Sequence, residues 1–143
     1  MKKILVIQAP FYKHISQLLL EGATKKLKEL GFEFDVIEVM GALEIAPVIA
    51  IAKDSKKYVA YVALGCVIRG ETTHYDYVCS ESAHAISNLA INHKLPIGNG
   101  ILTVENEAQA IARADIKQKD KGGFAVLAAI SILKIKENFE ENN

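Results

Sequence analysis

Ile4-Leu-Val-Ile7 is a continuous aliphatic run stopped by Gln8, Ala9 and Pro10, the pattern of a strand buried on both faces. From His14 to Leu30 the period changes. Ile15, Leu18, Leu19, Ala23, Leu27 and Leu30 recur at three and four with Lys25, Lys26, Lys28 and Glu29 opposite, an amphipathic helix closed by Gly31. Phe34 to Val39 predicts a second strand, Gly41 a turn, and Leu43 to Ala52 a second helix with Pro47 in its first turn. Tyr58 to Leu64 predicts a third strand ending at Gly65, followed by a long helix from about Tyr75 to Asn92. Ile97 to Leu102 predicts strand four, Glu105 to Ala114 a short helix, and Phe124 to Phe139 a closing helix packed through Ala125, Ala128, Ala129 and Ile132. Phe139 to Asn143 are expected to fray.

Strands alternating with helices imply parallel pairing through right-handed crossovers. The expected class is α/β: a doubly wound, four-stranded parallel sheet between two helical layers, a flavodoxin-like α/β/α sandwich. Without an internal repeat, linker or low-complexity stretch, residues 1–143 are expected to form one domain. Ligands of such sheets bind beyond the carboxyl ends of the strands. Those ends are Gln8 to Tyr12, Met40 to Glu44, Gly65 to His74 and Asn99 to Thr103, expected to meet at one site.

Composition narrows the partners. Seventeen basic residues cancel 17 acidic ones, so the charge excess that drives binding to nucleic acid or an anionic membrane is missing. Cys66 and Cys79 form no CxxC pair, disulfide framework or zinc-like cluster, which suits a reducing compartment and a cytoplasmic protein. The apolar run after Lys2 and Lys3 is four residues long, too short for a signal peptide, and no stretch reaches the roughly 20 residues of a membrane span.

The loop after strand three holds Arg69, Gly70, Glu71, Thr72, Thr73 and His74 directly before a helix. A helix N-terminus offers free N–H groups and partial positive charge, and Gly70 lets backbone approach an anion closely, so a phosphate fits there. Thr72 or Thr73 acting only as a helix cap is the competing reading. His74 is the one histidine at a strand end that also opens a helix, and histidine is the side chain suited to proton transfer near neutral pH. His14, His84 and His93 read as structural or solvated. Phe11 and Tyr12 suit stacking on a planar heterocycle, or a staple beneath helix one. Glu44 is favoured at a helix start by the dipole alone, and equally able to accept hydrogen bonds from a polyol. Arg113, Lys117, Lys119 and Lys121 form a basic patch, either a solvated surface or the source of an arginine for phosphate. Cys66 lacks an activating base and the spacing of a phosphatase loop, which favours packing. No Gly-x-Gly-x-x-Gly, Gly-Lys-Thr/Ser loop or paired carboxylates occur where redox or nucleotide-hydrolysis chemistry needs them.

Three segments carry a resemblance that runs nearly end to end: Gly41-Ala-Leu-Glu-Ile-Ala-Pro47, Leu64-Gly-Cys-Val-Ile-Arg-Gly-Glu-Thr-Thr-His-Tyr-Asp-Tyr-Val78, and Gly100-Ile-Leu-Thr-Val-Glu-Asn106 with Gln109-Ala110, Arg113 and Lys121-Gly122. The chain resembles the 6,7-dimethyl-8-ribityllumazine synthases of riboflavin biosynthesis. The resemblance implies a transferase that condenses 5-amino-6-(D-ribitylamino)uracil with 3,4-dihydroxy-2-butanone 4-phosphate without metal or organic cofactor. It implies that Phe11 stacks on the pyrimidine, that Ala42, Leu43 and Glu44 hold ring and ribityl chain, and that Cys66, Val67 and Ile68 contact the uracil. Glu71, Thr72 and Arg113 would bind the phosphate, Lys121 would join the substrate-binding set, and His74 would donate and accept protons.

The same resemblance places the site between subunits of a homo-oligomer, with Asn99 and Arg113 across the interface from His74. Asn99 stands where many members have a covering phenylalanine, and Tyr12 where asparagine or tryptophan is frequent. A start almost at strand one, and Asp115-Ile-Lys-Gln118 in place of a Gly-rich kink, favour a pentamer over a sixty-subunit shell. Rival readings on this architecture fare worse. A receiver domain needs an acid where Leu64-Gly65 stand, and a flavodoxin-like, flavin-binding module needs a Ser/Thr/Gly-rich loop where Ala9-Pro-Phe-Tyr-Lys13 stand. A purely structural shell protein has no use for the Arg69 to His74 loop. A riboflavin synthase on the same fold matches that loop less well.

Overall fold

In the computed structural model, which describes residues 2–142, four parallel strands lie in the order β2-β1-β3-β4. They are β1 (Lys3–Gln8), β2 (Glu33–Glu38), β3 (Ala60–Ile68) and β4 (Ile97–Val104). The helices are α1 (Lys13–Glu29), α2 (Ile45–Asp54), α3 (His74–Asn92), α4 (Glu107–Ala114) and α5 (Lys121–Glu141). The expected α/β class and four-stranded parallel sheet are what the chain adopts.

Alternation along β1 divides the core. Ile4 and Val6 pack with Leu19, Leu27, Val126 and Ile130 of α1 and α5, whereas Leu5 and Ile7 pack with Ile45 and Ile49 of α2 and Ile86 of α3. Because both layers cover β1 and β3, those strands are apolar on both faces, which is why their sequences read as unbroken aliphatic runs. Gly31, at φ 77°, closes α1 in the left-handed conformation that glycine adopts without strain.

Several boundaries differ from the sequence reading. β3 does not end at Gly65: it continues through Ile68, paired with β4 as Cys66↔Leu102, Val67↔Thr103 and Ile68↔Val104. Cys66, Val67 and Ile68 are therefore strand residues. The second helix begins at Ile45, and Ala42–Glu44 form a separate 3-10 turn before it. α4 starts two residues later than expected, where the Asn106 side chain accepts from Gln109 N at 2.9 Å. α5 starts at Lys121, not Phe124, with Asp120 at φ 44° accepting from Gly123 N. At the other end, where irregular chain was expected from Phe139, α5 runs on to Glu141, and Asn142 Nδ2 donates to Asn138 O at 2.9 Å; Asn143 lies outside the described residues.

Candidate functional site

Sheet order reverses between β1 and β3, and a cleft of about 360 Å³ opens at their carboxyl ends, the position and size expected of a small-molecule site in such a sheet. Its floor is Ala9 and the last residues of β3, Cys66 to Ile68. One wall is the turn from Met40 to Glu44, and the other is Gly70 and Thr72 with His74, Tyr75 and Val78 of α3. At the rim Phe11 is 71% exposed, while Tyr12 is half-buried against the core beneath α1. The staple is therefore Tyr12. Phe11 leans edge-on against it, ring centres 5.0 Å apart, with a face free to stack.

Burial pushes the Cys66 thiol up to about 11, which keeps it protonated at neutral pH and disfavours a nucleophilic role. The start of α3 is left open. Thr73 makes no side-chain cap, and Thr72 Oγ1 accepts only from His74 N, at 3.2 Å. The backbone N–H groups of Glu71, Thr72 and Thr73 find no acceptor among the described residues, leaving donors and the positive end of the helix dipole facing outward. The Glu71 side chain is exposed and lines neither cleft. His14, His84 and His93 are all exposed.

The fourth strand end does not join this cleft, contrary to expectation. β4 is an edge strand, and Asn99 lies on its open side with Oδ1 accepting from Ile101 N at 2.9 Å. Nearby, Ile101, Leu102, Thr103, Arg113, Lys119 and Lys121 line a second concavity of about 310 Å³. Arg113 Nη1 donates to Gln109 O at 3.1 Å, and no carboxylate lies within ion-pair distance of its guanidinium, Lys119 or Lys121 among the described residues. Three cations without a counter-charge give this hollow a positive field of the kind that suits an anion.

A model of the 6,7-dimethyl-8-ribityllumazine synthase family matches residues 1–137. The 6,7-dimethyl-8-ribityllumazine synthase of Novosphingobium aromaticivorans is 53% identical over 139 residues, covering 97% of this chain and 99% of its own. Its counterpart in Zymomonas mobilis is 51% identical over 137 residues, covering 96% and 98%, and that of Agrobacterium fabrum 50% identical over 139, covering 94% of each. The chain belongs to the 6,7-dimethyl-8-ribityllumazine synthase family.

Against the lumazine synthase pattern, the structure gathers Phe11, Ala42, Leu43, Glu44, Cys66, Val67, Ile68, Thr72 and His74 around one cleft. It puts Arg113 and Lys121 at the other hollow, with Asn99 on the open edge of β4. Sequence reasoning gave no role to Tyr75 and Val78, which help complete the first cleft; Ala9 and Met40 belong to the strand ends expected to meet there, and Lys119 stands beside Arg113 as the basic patch foresaw, whereas Lys117 does not line the hollow. Val78 was within reach, one helical turn after His74 and so on the same face.

Proposed function

We propose that the protein is a cytoplasmic lumazine synthase whose active site is completed by a neighbouring copy of the chain. It condenses 5-amino-6-(D-ribitylamino)uracil with 3,4-dihydroxy-2-butanone 4-phosphate to 6,7-dimethyl-8-ribityllumazine, releasing phosphate and water. Family membership supports the reaction. The observation that carries the composite site is the separation of its parts: the histidine and exposed aromatic line one cleft, whereas Arg113 and Lys121 line another in the same chain. A planar heterocycle and a phosphate ester must meet to react, so the two clefts of adjacent subunits face each other.

In this arrangement Phe11 stacks on the pyrimidine while Ala42, Leu43 and Glu44 meet the ring and ribityl hydroxyls. Cys66, Val67 and Ile68 form the apolar floor beneath the uracil, and Asn99 of the adjoining copy reaches the ring from the other side. Open amides at Glu71 and Thr72 take the phosphate together with Arg113 and Lys121 across the interface. The substrate amine is already a nucleophile, so orientation and proton transfer are what the protein adds. His74 removes and returns protons as the amine adds to the carbonyl and a first water leaves, as phosphate is eliminated, and as the second nitrogen closes the ring on the remaining carbonyl with loss of a second water. None of these steps requires a metal or organic cofactor.

A pentameric ring is the assembly we favour. Ile51, Tyr77, Ile91, Phe124, Ile135 and Phe139 are all more than half exposed, apolar surface of the kind a stable interface covers. The deciding assay mixes purified protein with both substrates and follows lumazine absorbance and phosphate release. Neither signal above the uncatalysed background sinks the reaction; sedimentation of a fully active monomer sinks the composite site.

A further inference from the structure

Arg69 belongs to the most specific stretch of the sequence, yet it lines neither cleft and has no part in the chemistry above. Its side chain nevertheless has three partners. Nε donates to Glu105 Oε2 at 2.8 Å, Nη1 lies 3.4 Å from Asp76 Oδ1, and the guanidinium lies 4.4 Å from the centre of the Tyr75 ring. The backbone N–H of Arg69 donates to Val104 O at 3.0 Å. One residue thus ties together the end of β3, the end of β4 and the first turn of α3.

Those ties do little for stability, because the side chains of Arg69, Asp76 and Glu105 are 42%, 59% and 55% exposed and exposed ion pairs contribute weakly. What they control is geometry. Between Arg69 and His74 the loop has little anchorage of its own: a Cβ on Gly70 would meet nothing within 4 Å, Thr73 makes no side-chain cap, and Thr72 Oγ1 accepts only from His74 N. Tyr75 and Asp76, the two residues Arg69 grips, directly follow His74. The guanidinium therefore holds both ends of the loop at once, and its planar fork meets two carboxylates and a ring face together, which an ammonium cannot do.

We infer that Arg69 is a positioning residue, a strut that fixes His74 and the open amides of residues 71–73 at the orientation the reaction needs. This rests on the proposed role of His74. Arg69→Ala is expected to lower kcat about ten- to a hundredfold, the scale of a misplaced catalytic group, while KM for the pyrimidine stays within about threefold. Its thermal midpoint is expected to stay within about 4 °C of the parent. Arg69→Lys recovers only part of the loss, and Arg69→Ala with Glu105→Gln is no slower than Arg69→Ala alone, because the pair acts as one unit.

Hydrogen exchange gives a readout independent of turnover, with faster exchange in Arg69→Ala confined to residues 70–78. An inactive parent protein counts against the reaction, and the exchange comparison still judges the strut. Parental kcat in Arg69→Ala, unchanged exchange across 70–78, or a kcat loss explained by general unfolding overturns the inference. If Arg69→Ala does not fold, the same readings on Arg69→Lys decide it.

Discussion

Gly98 in β4 faces the backbone carbonyl of Ala125 in α5 so closely that a Cβ on Gly98 would overlap that oxygen. The obstacle is backbone, which cannot swing aside as a flexible side chain can. Gly98→Ala must push α5 off the sheet or bend β4, and overpacking of this kind costs about 1–3 kcal/mol. Denaturant unfolding is the check, and a variant as stable as the parent would show that α5 sits farther from β4 than described.

Gly70 offers the contrast. Nothing lies within 4 Å of where its Cβ would stand, so Gly70→Ala should leave stability within about 0.5 kcal/mol. If the open start of α3 cradles the substrate phosphate, the added methyl should raise KM for the butanone phosphate and leave KM for the pyrimidine alone. Equal changes in both constants, or none, would remove the phosphate from this loop.

His74 is expected to matter through proton transfer, not binding. Because the amine substrate needs no activation, His74→Ala should slow turnover by roughly 10²- to 10⁴-fold without abolishing it. Added imidazole should restore part of the turnover lost in the variant by standing in as the proton carrier. Parental turnover in His74→Ala would take His74 out of the acid/base role.

Cys66 tests the floor of the cleft. With its thiol pushed up to about 11 by burial, it should resist iodoacetamide at pH 7.5 in the folded protein and react only on unfolding. Cys66→Ser keeps the volume but places a hydroxyl on an apolar floor, so a cost of about 1–3 kcal/mol in stability is expected with turnover retained. Rapid alkylation with loss of activity would instead make Cys66 a reactive group.

The parts of this fold legible in the sequence are those where burial alone writes the pattern. Ile4 to Ile7 is covered on both faces and reads as a strand, and α1 alternates because one side meets the sheet. What escaped depends on tertiary contact. Gly65 looked like a strand end, but in a ladder paired on through Ile68 a glycine forfeits only its side chain. Gly122 and Gly123 looked like loop, yet they are the first turn of α5, capped by Asp120, and Gly122 is glycine because the Leu19 carbonyl of α1 leaves no room for a Cβ. Phe11, Glu44, Thr72 and His74 were legible because each stands at a strand end. That Arg113 stands apart from His74 came only through the resemblance, because residue spacing does not show that β4 is an edge strand or that Arg113, Lys119 and Lys121 open onto a different hollow.

A cluster away from both clefts sets a dependence of stability on pH. Tyr58 Oη donates to Asp35 Oδ2 at 2.6 Å, while Lys3 Nζ lies 3.0 Å from Oδ1 and Lys57 Nζ 3.7 Å from Oδ2. The Tyr58 hydrogen bond, then that of Lys3, holds the Asp35 carboxyl below its ordinary range. Burial, then the Asp35 bond, pushes the Tyr58 phenol from its ordinary 10 up to about 12. The two shifts act on opposite limbs of the stability curve. Asp35 stabilises the fold above its ordinary value, and that contribution disappears as pH falls through the lowered one. Tyr58 stabilises the fold below pH 10, and its contribution is lost as pH rises toward 12. Asp35→Asn should make the acid limb shallower and slightly shrink the alkaline one, whereas Tyr58→Phe should make the alkaline limb shallower and soften the acid one; raised Tyr61 and Cys66 and lowered Asp54 and Asp115 keep part of each limb. Urea midpoints from pH 3 to 11 compare the three proteins, and an acid limb unchanged in Asp35→Asn would show that other carboxylates govern it.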